Sequence, residues 1–70
     1  MVVLVTAGAT TQVSAVLMDE SEHGFRARHT FAGFQPGDKV SFIHRFREGV
    51  ALVIWNKVSG SDFETGFAYF

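Results

Sequence analysis

The segment Gly24–Phe31, GFRARHTF, alternates so strictly that it admits few backbones. Phe25, Ala27, His29 and Phe31 fall on one side, and Arg26, Arg28 and Thr30 on the other. That is the period of two of a strand with one buried face. DKVSFIH repeats the pattern, setting Val40, Phe42 and His44 against Lys39, Ser41 and Ile43. The last segment does so again, with Phe63, Thr65, Phe67 and Tyr69 against Glu64, Gly66, Ala68 and Phe70. Helical periodicity is weak throughout.

Three further runs are more continuously apolar. MVVLVT and QVSAVLM flank Ala7-Gly8-Ala9-Thr10, which reads as a hairpin connection. VALVIWNKV is β-branched and suits a central strand. Gln35-Pro36-Gly37-Asp38 places Pro and Gly in the central positions of a type II turn. Ser59-Gly60-Ser61-Asp62 and Arg47-Glu48-Gly49 read as further turns. Six short strands with regular turn punctuation predict an all-β domain over residues 1–70, a small antiparallel barrel or sandwich. Closing the sheet would remove edges that strands this apolar cannot safely expose.

At 70 residues the core is small, yet 47% of the chain is apolar and eight residues are Phe, so packing rather than disorder is expected. No cysteine is present, which excludes disulfides and thiolate metal sites. Six basic and seven acidic residues leave a formal charge of −1 with no run of one sign, so DNA or RNA as a partner has no electrostatic support. The N-terminal apolar run carries no Lys or Arg and breaks at Thr6-Ala7-Gly8, too short for a membrane span. A soluble, cytoplasmic chain without membrane insertion is the expectation.

With the strands placed, the chain resembles the PilZ domain family, bacterial receptors for cyclic di-GMP. Asp19, Ser21 and Gly24, in DESEHG, match that family's D-x-S-x-x-G motif, between a second strand and an alternating third one. Gly37-Asp38-Lys39-Val40 matches its G-x-x-V strand start, and Val53-Ile54-Trp55 its V-x-W element. Gly66-Phe67-Ala68-Tyr69-Phe70 matches its closing G-hydrophobic-x-F strand, one residue longer than usual. The resemblance implies a six-stranded split β-barrel. It departs from the family in two respects: no R-x-x-x-R precedes the first strand, the first arginine being Arg26, and no C-terminal helix follows the last strand.

What the resemblance implies for a site follows residue by residue. Asp19 would accept from guanine N–H groups, Ser21 would donate to a phosphate oxygen, and Gly24 would let the backbone come close. His23, Arg26, Arg28 and Trp55 are the further candidates. The missing arginines are the natural bidentate partners of phosphate and of the guanine O6/N7 edge. At roughly 1.5–3 kcal/mol per charged hydrogen bond, losing two weakens binding on the order of 10²–10⁴-fold.

Each residue also has a plainer reading. Asp19, Ser21 and Gly24 can form a turn in which Asp and Ser bond nearby backbone N–H groups. Trp55 in an apolar strand reads as core or interface before ligand. His29 and His44 sit on apolar faces and read as packed, hydrogen-bonded core histidines rather than metal ligands. Arg45-Phe46-Arg47-Glu48 reads as a solvated hairpin tip. No nucleophile with a base and orienter stands out, nor a phosphate-cradling glycine loop, so neither an enzyme nor a cofactor is expected.

The leading expectation is a degenerate PilZ-like module in cyclic di-GMP signalling, acting through a protein partner or self-association, with an apolar patch at Phe67, Tyr69 or Phe70. The alternatives are a cyclic di-GMP receptor whose arginine loop lies outside this chain, and an unrelated barrel that binds single-stranded nucleic acid through exposed aromatics.

Overall fold

The structure is a computed structural model and describes residues 1–8 and 10–70. Six strands follow one another: β1 (Val2–Ala7), β2 (Thr11–Glu20), β3 (Gly24–His29), β4 (Lys39–His44), β5 (Arg47–Ser59) and β6 (Asp62–Tyr69). They pair antiparallel in the order β1-β2-β3-β6-β5-β4. β4 returns to β1, Ile43 opposite Leu4 and Val40 opposite Ala7, so the sheet closes into a barrel. The expected all-β architecture is thus present, with no helix among the described residues. In particular, no helix is long and apolar enough to cross a membrane.

Alternation decides what fills the barrel. Val3 and Val5 of β1, Val13 and Ala15 of β2, Phe25 and Ala27 of β3, Val40 and Phe42 of β4, Ala51 and Val53 of β5 and Phe67 of β6 are all buried. Phe25 stacks on Phe67 at 4.7 Å and tilts against Phe42 at 5.0 Å, joining three strands through one aromatic cluster. Phe34 joins this core from the connection between β3 and β4, edge-on to His29, Phe31 and Phe67. Strand periodicity carries no information about Phe34, because a residue in a connection has no strand phase.

His29 and His44 are buried as expected, and their polar atoms are satisfied on one shared plan. Each closes a strand by accepting a backbone N–H at Nδ1, from Phe31 at 3.1 Å and from Phe46 at 3.2 Å. An Nδ1 that accepts leaves the proton on Nε2, which faces a hydroxyl on β6. His29 Nε2 meets Thr65 Oγ1 at 2.6 Å, and Thr65 donates onward to Asn56 Oδ1. His44 Nε2 meets Tyr69 OH at 3.0 Å, and Tyr69 donates onward to Glu20 Oε2 at 2.9 Å.

The same capping corrects two boundaries. β3 ends at His29 rather than running to Phe31, since the Phe31 N–H is spent on the His29 ring. Arg47-Glu48-Gly49 is not a turn. The reversal occurs at Arg45-Phe46, with His44 paired to Arg47, and Gly49 sits inside β5 opposite Phe42.

Two of the expected turns are present. Gly37 has φ 95°, and the Asp38 N–H donates to Gln35 O at 3.0 Å, as a type II turn requires. Gly60, at φ 65°, opens the two-residue loop between Ser59 and Asp62. The expected connection Ala7-Gly8-Ala9-Thr10 includes Ala9, which lies outside the described residues; β1 and β2 pair immediately beyond it, Ala7 opposite Thr11.

Burial first of all lowers the pKa of both His29 and His44 below 6.5. The folded chain therefore resists protons that the unfolded chain accepts. The stability is present above about pH 6.5 and falls as pH drops toward the folded pKa values, by up to about 1.4 kcal/mol per pH unit for each ring. Denaturant midpoints measured from pH 7.5 down to 5 should decline over this window. His29→Gln or His44→Gln should each shallow the slope.

Candidate functional site

Inside a closed barrel the strand phase is locked, and only an extra residue can move a side chain from one wall face to the other. Among the described residues there are two such irregularities. In β2 the register against β3 shifts between Leu17 and Asp19, and in β5 the register against β6 shifts between Val53 and Trp55. Both re-aim the residue that follows. Asp19 comes to lie opposite Arg26, Arg26 opposite Gly66, and Gly66 opposite Trp55. One rung across four strands thus carries a carboxylate, a guanidinium, a gap and an indole on the outer wall.

The gap is what lets the indole lie down. A Cβ on Gly66 would stand 2.3 Å from Trp55 Nε1 and 2.4 Å from its Cε2. The ring therefore lies across β6 on the space that glycine leaves. Trp55 is 37% exposed, so the expectation of a core tryptophan is corrected. Unbroken alternation from buried Val53 would have pointed Trp55 inward, and the bulge turned it out. Around this rung runs an open groove of about 440 Å³, lined by Asp19, Ser21, His23, Gly24, Arg26 and Trp55 together with Ile54, Phe25 and the Gly66–Ala68 segment. Six of the seven candidates from the sequence meet there. Arg28 does not line it; it stands one rung away, opposite Glu64.

The residues of the D-x-S-x-x-G motif divide by role. Ser21 acts as a turn residue, its Oγ accepting the His23 N–H at 3.3 Å while its own N–H donates to Gly24 O. Among the described residues no backbone N–H donates to the Asp19 carboxylate, contrary to the turn reading; its Oδ2 accepts from Arg26 Nη2 at 2.8 Å. Gly24 does not have a positive φ. A Cβ there would meet the Phe67 carbonyl oxygen at 2.0 Å, so glycine permits the β3–β6 backbones to close. This motif glycine serves the barrel wall.

Behind the groove, Glu64 is buried on the outer wall, its cross-strand neighbours being Arg28 on β3 and Lys57 on β5. Arg26 Nη1 and Arg28 Nη2 each stand 3.7 Å from its carboxylate oxygens. Arg26 is thereby shared between Asp19 and Glu64, and its charge is largely spoken for. The Lys57 ammonium lies 5.7 Å from the Trp55 ring, at the outer limit of a cation–π contact.

The motif turn is tied to β6 by Tyr69 at two points. Its hydroxyl donates to Glu20, just ahead of the turn, and its backbone N–H donates to His23 O at 2.9 Å. Burial, then the bond to Glu20, push the Tyr69 phenol up to about 12, against the opposing charge of Arg47. The sequence marks neither Tyr69 nor Glu64 as a site residue, since pairing across distant strands leaves no local signature.

Two substitutions separate wall from groove. Gly24→Ala should cost about 3 kcal/mol or more, because backbone atoms must move apart. Gly66→Ala should cost less, about 1–2 kcal/mol, because the Trp55 ring can swing outward. The emission of this single tryptophan should then shift to the red, and chemical denaturation with fluorescence reads both effects. In the same way, spectrophotometric titration of the lone tyrosine should show an ionisation midpoint raised to about pH 12, and Glu20→Gln should bring the transition lower.

Set against known proteins, the chain is matched by no family model and by no curated sequence.

Proposed function

We propose that the chain is a PilZ-like signalling module of bacterial cyclic di-GMP pathways, in which the outer-wall groove is one half of a guanine-nucleotide site. On this reading the module binds the nucleotide weakly by itself and acts through protein contacts. The observation that carries the proposal is the rung Asp19–Arg26–Gly66–Trp55, which gathers motif residues, a guanidinium and an exposed indole in one groove.

The chemistry suits a purine. The indole offers a flat face for base stacking, worth about 1–3 kcal/mol per base in other systems. The Asp19 carboxylate suits guanine N–H donors, and Arg26 suits a phosphate or the O6/N7 edge. Charge sets the limit. Asp19 offsets Arg26 inside the groove, and Glu64 engages Arg26 from behind. A dianionic ligand gains little net attraction and has to compete for Arg26. A second reading keeps the same groove and supplies the missing cations from an arginine segment outside this chain.

Trp55 is its own probe. Cyclic di-GMP added at low salt should quench its emission saturably, with a dissociation constant no tighter than about 0.1 mM, weakened by added salt and by Arg26→Ala. This bound is the smaller loss, about 10²-fold, applied to a fully equipped site of about 1 µM. Unchanged emission and no heat at several millimolar ligand would overturn the nucleotide groove. Low-micromolar binding would instead overturn the degenerate reading and assign the task to Arg26 alone. Tightening when an R-x-x-x-R segment is fused ahead of Met1 would favour the second reading.

A further inference from the structure

The outer wall is divided into two chemically distinct halves. Charged residues face out from β3, β6 and β5: Arg26, Arg28, Glu64 and Lys57. On the β4–β1–β2 side the outward positions are Val2, Leu4 and Thr6, then Gln12, Ser14, Val16 and Met18, then Lys39, Ser41 and Ile43; the one charge among these, Lys39, stands at the end of β4 away from Ile43 with its ammonium 4.6 Å from the Phe70 ring, and Asp19 and Glu20 follow Met18 on β2. The apolar members are contiguous. Ile43 stands opposite Leu4, and Val2 opposite Val16, with Val2 and Leu4 adjacent on one face of β1. Phe46, at the β4–β5 tip, extends the patch. The expected patch at the last strand is absent in that form, since Phe67 is buried and only Phe70 is exposed.

We infer that this β4–β1–β2 face is a homodimer interface, occupied by the same face of a second copy of the chain. Three observations select that occupant. The first is area. Val2, Leu4, Val16, Met18, Ile43 and Phe46 remain between 37 and 63% exposed. For side chains of this size that is roughly 600 Å², the top of the range for the largest apolar patch on a monomer. It approaches the approximately 800 Å² per partner of a standard interface.

The second is charge. The patch of Val2, Leu4, Val16, Met18 and Ile43 carries no charge of its own, so it can meet itself with no ion to desolvate at its centre, and it offers a charged partner nothing to pair with. Its borders carry both signs, Arg28 beside Val16 and Glu48 beside Ile43. A membrane-docking face would instead be rimmed by cations alone.

The third is symmetry. β1 is the middle of the three strands. A two-fold axis along it lays β2 of one copy over β4 of its partner, so the Val16–Met18 end meets the Ile43–Phe46 end twice over. This is the self-complementary pattern of an isologous contact. Leu4 and Val2, on β1, occupy the centre of this arrangement. The groove and the patch border one another on β2, where Met18 of the patch directly precedes Asp19 of the groove.

Sedimentation equilibrium of the chain from about 1 µM to 1 mM tests the inference. A monomer–dimer equilibrium with a midpoint in the micromolar range is expected. Leu4→Lys and, separately, Val2→Lys should raise the dimer dissociation constant at least about 100-fold while leaving the circular dichroism spectrum unchanged. Val2 is the safer variant, being 60% exposed. Val58→Lys, which alters an exposed apolar residue at the far β5–β6 tip, should leave association unchanged. A chain that stays monomeric at 1 mM, or a dimer that survives both β1 variants, would overturn the assignment. So would a monomer that binds neutral phosphatidylcholine vesicles through Leu4.

Discussion

Closure of the barrel is the constraint on which everything else depends. Once β4 pairs with β1, no strand can slip by one residue without turning its apolar set outward, and no strand can leave without opening two ladders. The phase of each strand is then common property. The aromatic cluster of Phe25, Phe42 and Phe67 exists because three strands hold the same phase at the same depth. Gly24 marks how little slack remains, since a single Cβ would collide with the β6 backbone.

Under that constraint the outer wall acquires chemistry only where the phase is broken. The bulges in β2 and β5 flank the β3–β6 pair, and between them they turn Asp19 and Trp55 onto the rung of Arg26 and Gly66. Neither bulge alone would make a groove. With only one, the rung would carry an indole without a carboxylate, or a carboxylate and guanidinium paired on a flat wall. The β3–β6–β5 wall bears a band of outward charges, while the apolar patch centred on β1 carries none. One small wall thus presents two chemically distinct surfaces.

The buried polar groups follow a different logic, that of ends rather than faces. His29 and His44 each terminate a strand, accept a backbone N–H two residues on, and reach a β6 hydroxyl. A small core tolerates these rings because every nitrogen is satisfied, and burial favours their neutral form. Tyr69 extends one of these chains to Glu20 and to the turn that follows it. The interior is thereby joined to the rim of the groove through a single side chain.

Much of the fold was legible in the residues. The alternation of GFRARHTF, DKVSFIH and the final strand identifies which side chains point inward, because period two is a local property of an extended backbone. Pro36-Gly37 foretells its turn for the same reason, as dihedral preference belongs to the residue itself. The order of the polar stretch DESEHG among the strands also placed most of the candidate site. What only tertiary structure decided is everything that depends on a partner strand. Trp55 faces out and Asp19 takes Arg26 because register shifts against β3 and β6 changed their phase. Gly24 is required by a carbonyl more than forty residues away. Glu64 is buried beside two arginines of the neighbouring strand β3, and Phe34 reaches the core from a connection. Such facts are set by distances across the sheet, and a one-dimensional pattern has no record of which strand will lie alongside.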